Sequence, residues 1–417
     1  MKYFFGTLLL MPLFVHSQSI AECKSRFQNY LNFHGSLNQS VVFTENAIQI
    51  KSSVCVVTLY DNELAVIARC LKGLAPDQQM KLLNWKKNKH LSTKQLDSLK
   101  GGEYRAMPQR QKEFKGLRVA IEPGHFCATK EDATIEQKYL SFKTPKGDSV
   151  ELYESELTFM TAILLKAKLD QQGATVFLTR SGKENTSTGY TYCQLTGKYR
   201  KVFLDSLVAI KAISPDKAAL LQKVSPAAFY KDFFRDFELS NRARCINAFQ
   251  PDLTVIIHYN VDEKNAPWKQ HTNKDFTMVF VPGAMTKGDL DKTDGFLNFI
   301  RLLITNDINA SAELAAYTVN AFSKGLKIPI ASPENATYLK ENCVQTPRTG
   351  VYSRNLVLCR KIKGPLVYGE ALYQDHLQEA YALMARDTVI AGFKVSRRVA
   401  TVADGYYQAI GAFIGIQ

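Results

Sequence analysis

GATVFLTR (173–180) and, further on, NRARCINAFQPDLTVIIHYN (241–260) are the stretches that decide how this chain folds. Within them ATVFLT (174–179) and LTVIIH (253–258) are short β-rich runs, and a helical pattern at about 239–249 leads into the second. Three runs of the same kind lie outward from these: LRVAIE (117–122), FTMVFV (276–281) and PLVYGE (365–370). Each is bounded by Gly, Pro or polar residues. Further helical patterns fall at about 155–172, 311–326 and 371–391. Nearly continuous apolar strands alternating with helices predict an α/β domain, a twisted, largely parallel open sheet flanked by helices on both faces. Residues 116–417 make up this domain, with insertions at about 181–238 and 262–310 that are too long for simple connections.

Residues 18–115 differ in pattern and read as a small N-terminal α+β module followed by a basic linker. A helix is expected near 21–34. VCVVTLY (54–60) and LAVIARC (64–70) read as an antiparallel hairpin about Asp61-Asn62-Glu63, which would set Cys55 opposite Cys70 as a disulfide candidate. Lys81 to Lys115 is basic and polar, as expected of a solvated connection. Residues 1–17 have the form of a secretory signal peptide: Lys2, an apolar run from Tyr3 to Val15, and an exit at Val15-His16-Ser17. That run is shorter than the roughly 20 residues a bilayer span needs. The expectation is a chain exported to the periplasm or secreted, without stable membrane insertion. Eight cysteines in an oxidising compartment suit disulfides, and Cys343 with Cys359 is a second candidate pair.

Composition narrows the function classes. The 417 residues are 46% hydrophobic and 22% charged, which excludes a disordered polymer and allows a sizeable core. Lys and Arg number 53 against 39 Asp and Glu, a net charge of +14, so an anionic partner is expected. The basic residues are dispersed and no nucleic-acid reading module is present, so nucleic acid is not that partner.

The chemistry gathers where strands end. In open α/β sheets ligands collect at the carboxyl ends of strands. LRVAIE runs into Pro123-Gly124-His125, LTVIIH ends at His258 before Tyr259-Asn260, PLVYG ends at Glu370, and Glu154 opens the helical pattern ELTFMTAILLKAKL. Two imidazoles and a carboxylate on one edge are the protein ligands of catalytic zinc, and a second carboxylate would then move protons. Glu151 and Glu156 are alternatives to Glu154, and Cys127 is a candidate fourth ligand or disulfide partner.

Taken in order, these residues resemble the zinc-dependent N-acetylmuramoyl-L-alanine amidases, those built on an open α/β sheet. The matching pieces are E-P-G-H at 122–125, Glu154-Ser155-Glu156-Leu157, Leu178-Thr179-Arg180, Asn241-Arg242 with Asn247, Ile257-His258-Tyr259-Asn260, and Pro365 to Glu370. The resemblance spans roughly residues 117–392. It departs from the family at Glu122, where Asp is usual, at Phe126 and Cys127, where glycines are usual, and in the longer stretch between His125 and Glu154. It implies one Zn²⁺ per chain on His125, Glu154 and His258, Glu370 as the catalytic acid and base, and peptidoglycan as substrate. Arg180, Arg242, Arg348 and Arg354, with Asn260, would form a basic edge for stem-peptide carboxylates. KVFLDSLVAIKAI (201–213) would suit a blocking helix displaced by an activator protein, as in some family members. Competing expectations are a wall-binding protein without turnover on the same scaffold, and a zinc amidase or carboxypeptidase for another exported amide.

Overall fold

A run of β-branched and apolar residues buried on both faces becomes a central strand, and LTVIIHYN does so with all eight residues buried. The computed structural model describes residues 19–416 except 88, 93–94, 96–111, 128, 266–267 and 391. The signal-peptide expectation at 1–17 and most of the expected linker lie outside the described residues.

In the N-terminal module, β1 (Val41–Phe43), β2 (Ala47–Lys51) and β3 (Val56–Tyr60) form an antiparallel meander. Asp61–Glu63 is a 3₁₀ turn into the helix Leu64–Gly73, which corrects the expected hairpin. Leu64, Ile67 and Leu71 share a buried helical face, so the run LAVIARC follows a period near 3.6 rather than 2. Cys70 therefore lies in a helix, and all eight cysteines are free thiols, including Cys55, Cys343 and Cys359. Lys81 to Lys86, expected in the linker, belong to the helix Pro76–Lys86.

Beyond the module come β4 (Arg118–Pro123), the hairpin of β5 (Tyr139–Lys143) and β6 (Ser149–Tyr153), and β7 (Thr175–Leu178). These are followed by β8 (Leu253–Asn260), β9 (Met278–Pro282), β10 (Cys343–Gln345), β11 (Val351–Arg354) and β12 (Leu366–Tyr373). Seven of them form one sheet in the order β10-β11-β9-β12-β8-β4-β7. β7, β4, β8 and β12 run parallel, while β9 pairs antiparallel with β12. The run FTMVFV is thus a strand, but it points its carboxyl end to the opposite edge.

Helices cover both faces. Glu154–Gln171, Asp307–Leu326 and Arg397–Ile414 pack together on one face, and Arg235–Phe249 with Val357–Lys361 covers the other. The helical pattern at 371–391 is real only over Leu377–Met384, because β12 runs on to Tyr373 and a hairpin forms at Thr388–Ile390 and Phe393–Val395. The insertion 262–310 supplies the helix Thr293–Ile304, which packs against Leu64–Gly73 of the module. A 2.5 Å ion pair from Lys72 to buried Asp307 further ties module to domain.

Candidate active site

The four parallel strands deliver their carboxyl ends to one edge. Gly124 follows β4, and a Cβ there would overlap the imidazole of His258, so only glycine lets the two segments approach. His125 then turns with φ of 62°, in the left-handed region that non-glycine residues seldom occupy. Glu154 opens the helix Glu154–Gln171 after β6, and its side chain is 2% exposed. His258 lies on β8 beside Glu370 of β12 in the parallel register. The His258 ring is stacked on Tyr368, with centroids 4.4 Å apart.

The Glu154 carboxylate sits between the two imidazoles. Its Oε1 lies 3.0 Å from His258 Nδ1 and accepts from the Tyr259 N–H at 3.2 Å. Its Oε2 lies 3.2 Å from His125 Nε2 and 3.8 Å from Lys138 Nζ. His125, Glu154 and His258 each present one ligand atom, all within 4.8 Å of one another. His125 Nε2 is buried and, though near the Glu154 carboxylate, makes no bond of hydrogen-bond geometry, and Oε2 of Glu370 is buried without a hydrogen-bond partner. Two nitrogens and a carboxylate oxygen, converging in a buried place with an unsatisfied ring nitrogen, fit a divalent cation of the zinc type.

The electrostatics follow from burial and these neighbours. Burial opposes charge on His125, but the Glu154 and Glu136 carboxylates override it and hold the imidazolium up to about 9. Burial opposes charge on Glu154 too, and His125 and Lys138 nevertheless hold it well below the usual carboxylate range. Burial lowers His258. Glu370 is pushed up to about 8 by burial and by the Glu154 carboxylate. Two acids in one site are thus held apart in affinity for the proton, the pattern of an acid–base residue beside a permanent carboxylate.

Glu136 escapes the sequence reading. It ends the helix Lys130–Glu136, within the long stretch between His125 and Glu154. Its Oε1 lies 3.0 Å from His125 Nδ1, and its Oε2 accepts from the N–H groups of Phe126 and Cys127 at 3.3 Å each. No sequence pattern joins residues eleven apart across a loop and a short helix. The only local signal is the acid itself, closing a helix capped by Thr129.

The remaining expectations separate. Asn260, Arg354 and Glu370 line a cavity of about 360 Å³ at the site, with Lys138 and Trp268. Arg180 and Arg242 are both buried and already engaged within the protein. Arg180 donates to the carbonyls of Pro123, Gly124 and Ser155, and Arg242 donates to Glu122, Glu238 and the His125 carbonyl. These two guanidinium groups hold the histidine loop in place. Arg348 is exposed and lines neither cavity at the site. Glu156 pairs with Lys183 and Arg386, and Glu151 is exposed on β6, which leaves Glu154 as the acid between the rings. Cys127 is no fourth ligand. It is buried in an apolar cluster with Tyr192 and Phe234, and burial first, then Glu136, drives its thiol far up. Residues 201–213 line neither cavity. Leu204 and Leu207 are buried while Val202 and Ile210 are exposed, and Leu204 packs in the aromatic cluster with Tyr192, Phe229 and Phe234.

The fold and the donor set define an open-sheet α/β protein with two imidazoles and one carboxylate that could hold a cation at the sheet edge. A sequence profile of the N-acetylmuramoyl-L-alanine amidases matches residues 119–392, more than half of the chain, and the chain belongs to that family. No curated protein matches the sequence. Among solved structures, the Ami1 amidase of Mycobacterium smegmatis overlaps at 14% identity, covering 73% of this chain and 100% of that one, with a TM-score of 0.40. The CwlD amidase of Clostridioides difficile, solved in complex with the GerS lipoprotein, overlaps at 12% identity over 72% and 100%, with a TM-score of 0.38. The catalytic domain of the CwlV amidase from Paenibacillus polymyxa overlaps at 14% identity over 72% and 99%, also at 0.38. These overlaps are weak, and the assignment rests on the profile.

Proposed function

We propose that the chain is an exported zinc amidase that cleaves the bond between the lactyl group of N-acetylmuramic acid and L-alanine in peptidoglycan. The observation that carries this is the convergence of His125, Glu154 and His258 beside buried Glu370, in a member of an amidase family. Zinc held by the three would supply Lewis-acid chemistry, polarising the amide carbonyl and acidifying water. Glu136 fixes the His125 ring by accepting from Nδ1, which leaves Nε2 for the cation. Tyr368 stacks against His258 and restrains its ring. Glu370 takes the proton of the attacking water and hands it to the departing amine, a role that suits an acid raised towards neutrality.

The departures from the family pattern leave these donors intact, which supports turnover over a binding-only scaffold. Glu122 is absorbed in a buried pair with Arg242, and Phe126 packs among Tyr192, Tyr230 and Phe234. Among the described residues no helix is long and apolar enough to cross a membrane. Export itself rests on the signal-like segment at 1–17. The decisive experiment combines metal analysis with product identification on purified sacculi. Glu370→Ala is expected to keep stoichiometric zinc and release no stem peptide, and retained turnover would refute the assignment. Chelation is expected to abolish activity. Full activity in metal-free enzyme would remove the mechanism.

A further inference from the structure

Two cavities meet at the site, sharing His125, Lys138, His258, Leu356 and Tyr368. Besides the cavity of about 360 Å³ that holds Glu154, Arg354 and Glu370, a chamber of about 850 Å³ opens across His125 and His258. Its volume is within the range of pockets that enclose a whole small ligand, about 300–1,000 Å³. Glu370 lines the smaller cavity and not the chamber. The two spaces differ in chemistry as well as size.

We propose that the chamber receives the acyl half of the substrate, the muramyl sugar with its lactyl arm, and that the peptide leaves through the smaller cavity. The inference rests on the amidase reading and gives that reading a direction. When the amide C–N bond breaks, the acyl carbon gains the water oxygen and the nitrogen gains the proton. The residue that returns this proton must stand on the amine side, and Glu370 stands in the smaller cavity. A cation there fits the peptide. Arg354, which lines this cavity and not the chamber, lies over the rings of Phe280 and Tyr338 with no carboxylate ion-paired to it among the described residues, while Lys138, over Trp268, lines both spaces. Stem peptides carry carboxylates and the sugar backbone does not.

Much of the chamber wall is apolar or neutral, and the cations on its lining, Lys138, Lys231 and Arg235, are half-buried or exposed. Ile135, Leu239, Leu356 and Leu358 supply apolar wall, and Thr134 and Asn355 supply neutral hydrogen-bonding groups. Its buried charges are spent on one another, as Arg242 pairs with Glu122 and Glu238 and Glu136 pairs with His125. The walls also come from what is particular to this chain. Residues 134–138 belong to the long stretch after His125, and Ala227, Tyr230 and Lys231 to the end of the 181–238 insertion. On this account those two additions exist to build a glycan subsite.

The test compares two substrates, a disaccharide-bearing muropeptide and the same peptide capped only by a lactyl group. Leu239→Trp and, separately, Ile135→Trp fill the chamber, and Arg354→Gln alters the other cavity. The wild-type preference in kcat/KM for the sugar-bearing substrate is expected to fall about tenfold or more in either tryptophan variant. Arg354→Gln is expected to lower both substrates together and leave the preference in place. Peptide-free disaccharide is expected to bind the wild type and Arg354→Gln, and to lose binding in the tryptophan variants. A preference that survives in both folded tryptophan variants, or one that collapses in Arg354→Gln, overturns the proposed direction. Wild-type protein that cleaves neither substrate refutes the amidase reading, and the disaccharide measurement still decides whether the chamber binds glycan.

Discussion

Glu136→Gln is the sharpest perturbation of this site, because it changes almost no volume and replaces none of the three candidate metal ligands. The Glu136 carboxylate is surrounded by three N–H donors, His125 Nδ1 at 3.0 Å and two backbone groups at 3.3 Å. Burial alone would raise it, yet the His125 contact holds it down to about 2, so it is a carboxylate throughout the useful pH range. A glutamine has one acceptor oxygen and one donor amide for those three donors. If its oxygen serves the backbone, its NH₂ meets Nδ1, and His125 must carry its proton on Nε2, the nitrogen that faces Glu154. If its oxygen serves Nδ1, the NH₂ meets two backbone donors and the loop carrying His125 shifts. Loss of such an outer partner costs about 10–100-fold in metal affinity, or about 1.4–2.7 kcal/mol. The assay is chelator competition for zinc on metal-free protein, with far-UV circular dichroism and thermal melting as controls on the fold. A purely structural Glu136 would lower the melting temperature and leave zinc affinity alone. Unchanged zinc affinity in folded Glu136→Gln therefore refutes the reasoning.

Gly124→Ala is expected to push the His258 ring aside and abolish both zinc binding and amidase activity, as measured by metal content and muropeptide hydrolysis. Arg242→Met leaves Glu122 and Glu238 buried without their cation and is expected to cost about 3–5 kcal/mol in urea-unfolding free energy. Lys363, at the contact between module and domain, is lowered to about 8 by burial and then by Arg301 and Lys72. Its unfolded value is about 10.4, so the unfolded chain binds the extra proton between these limits and stability rises with pH across them. The melting temperature of Lys363→Met is expected to gain less than that of the wild type between pH 8 and 10, and equal gains would count against the assignment.

What the sequence could and could not reveal follows from which interactions are local. His125, His258 and Glu370 are legible because parallel strands end at one edge, so an apolar run followed by a polar residue locates that residue on the molecule, whereas Glu154 is legible as the acid that opens a helix. The direction of β9 is not legible, since FTMVFV reads the same whichever way it pairs, and its antiparallel place beside β12 is fixed by distant segments. LAVIARC misleads for a different reason. Its β-branched residues suit a strand, while the burial of Leu64, Ile67 and Leu71 that makes it a helix is supplied in part by the helix Thr293–Ile304. For Arg180 and Arg242 the sequence suggests an anion, and only the packing shows how many of their hydrogens go to the protein's own acceptors.

These same buried contacts account for how the site tolerates its unusual residues. At position 122 an acid longer than the family's aspartate meets a guanidinium that also holds Glu238 and the His125 carbonyl, so Glu122 joins the scaffold behind the histidine. At 126 and 127, side chains replace glycines, but their backbone N–H groups both point to Glu136, and the side chains turn away into an aromatic cluster. The longer stretch after His125 is what brings Glu136 there. The bulkier residues and the added segment are thus one structural change: the insertion supplies the carboxylate that holds the altered loop, and that carboxylate also fixes the ring of His125.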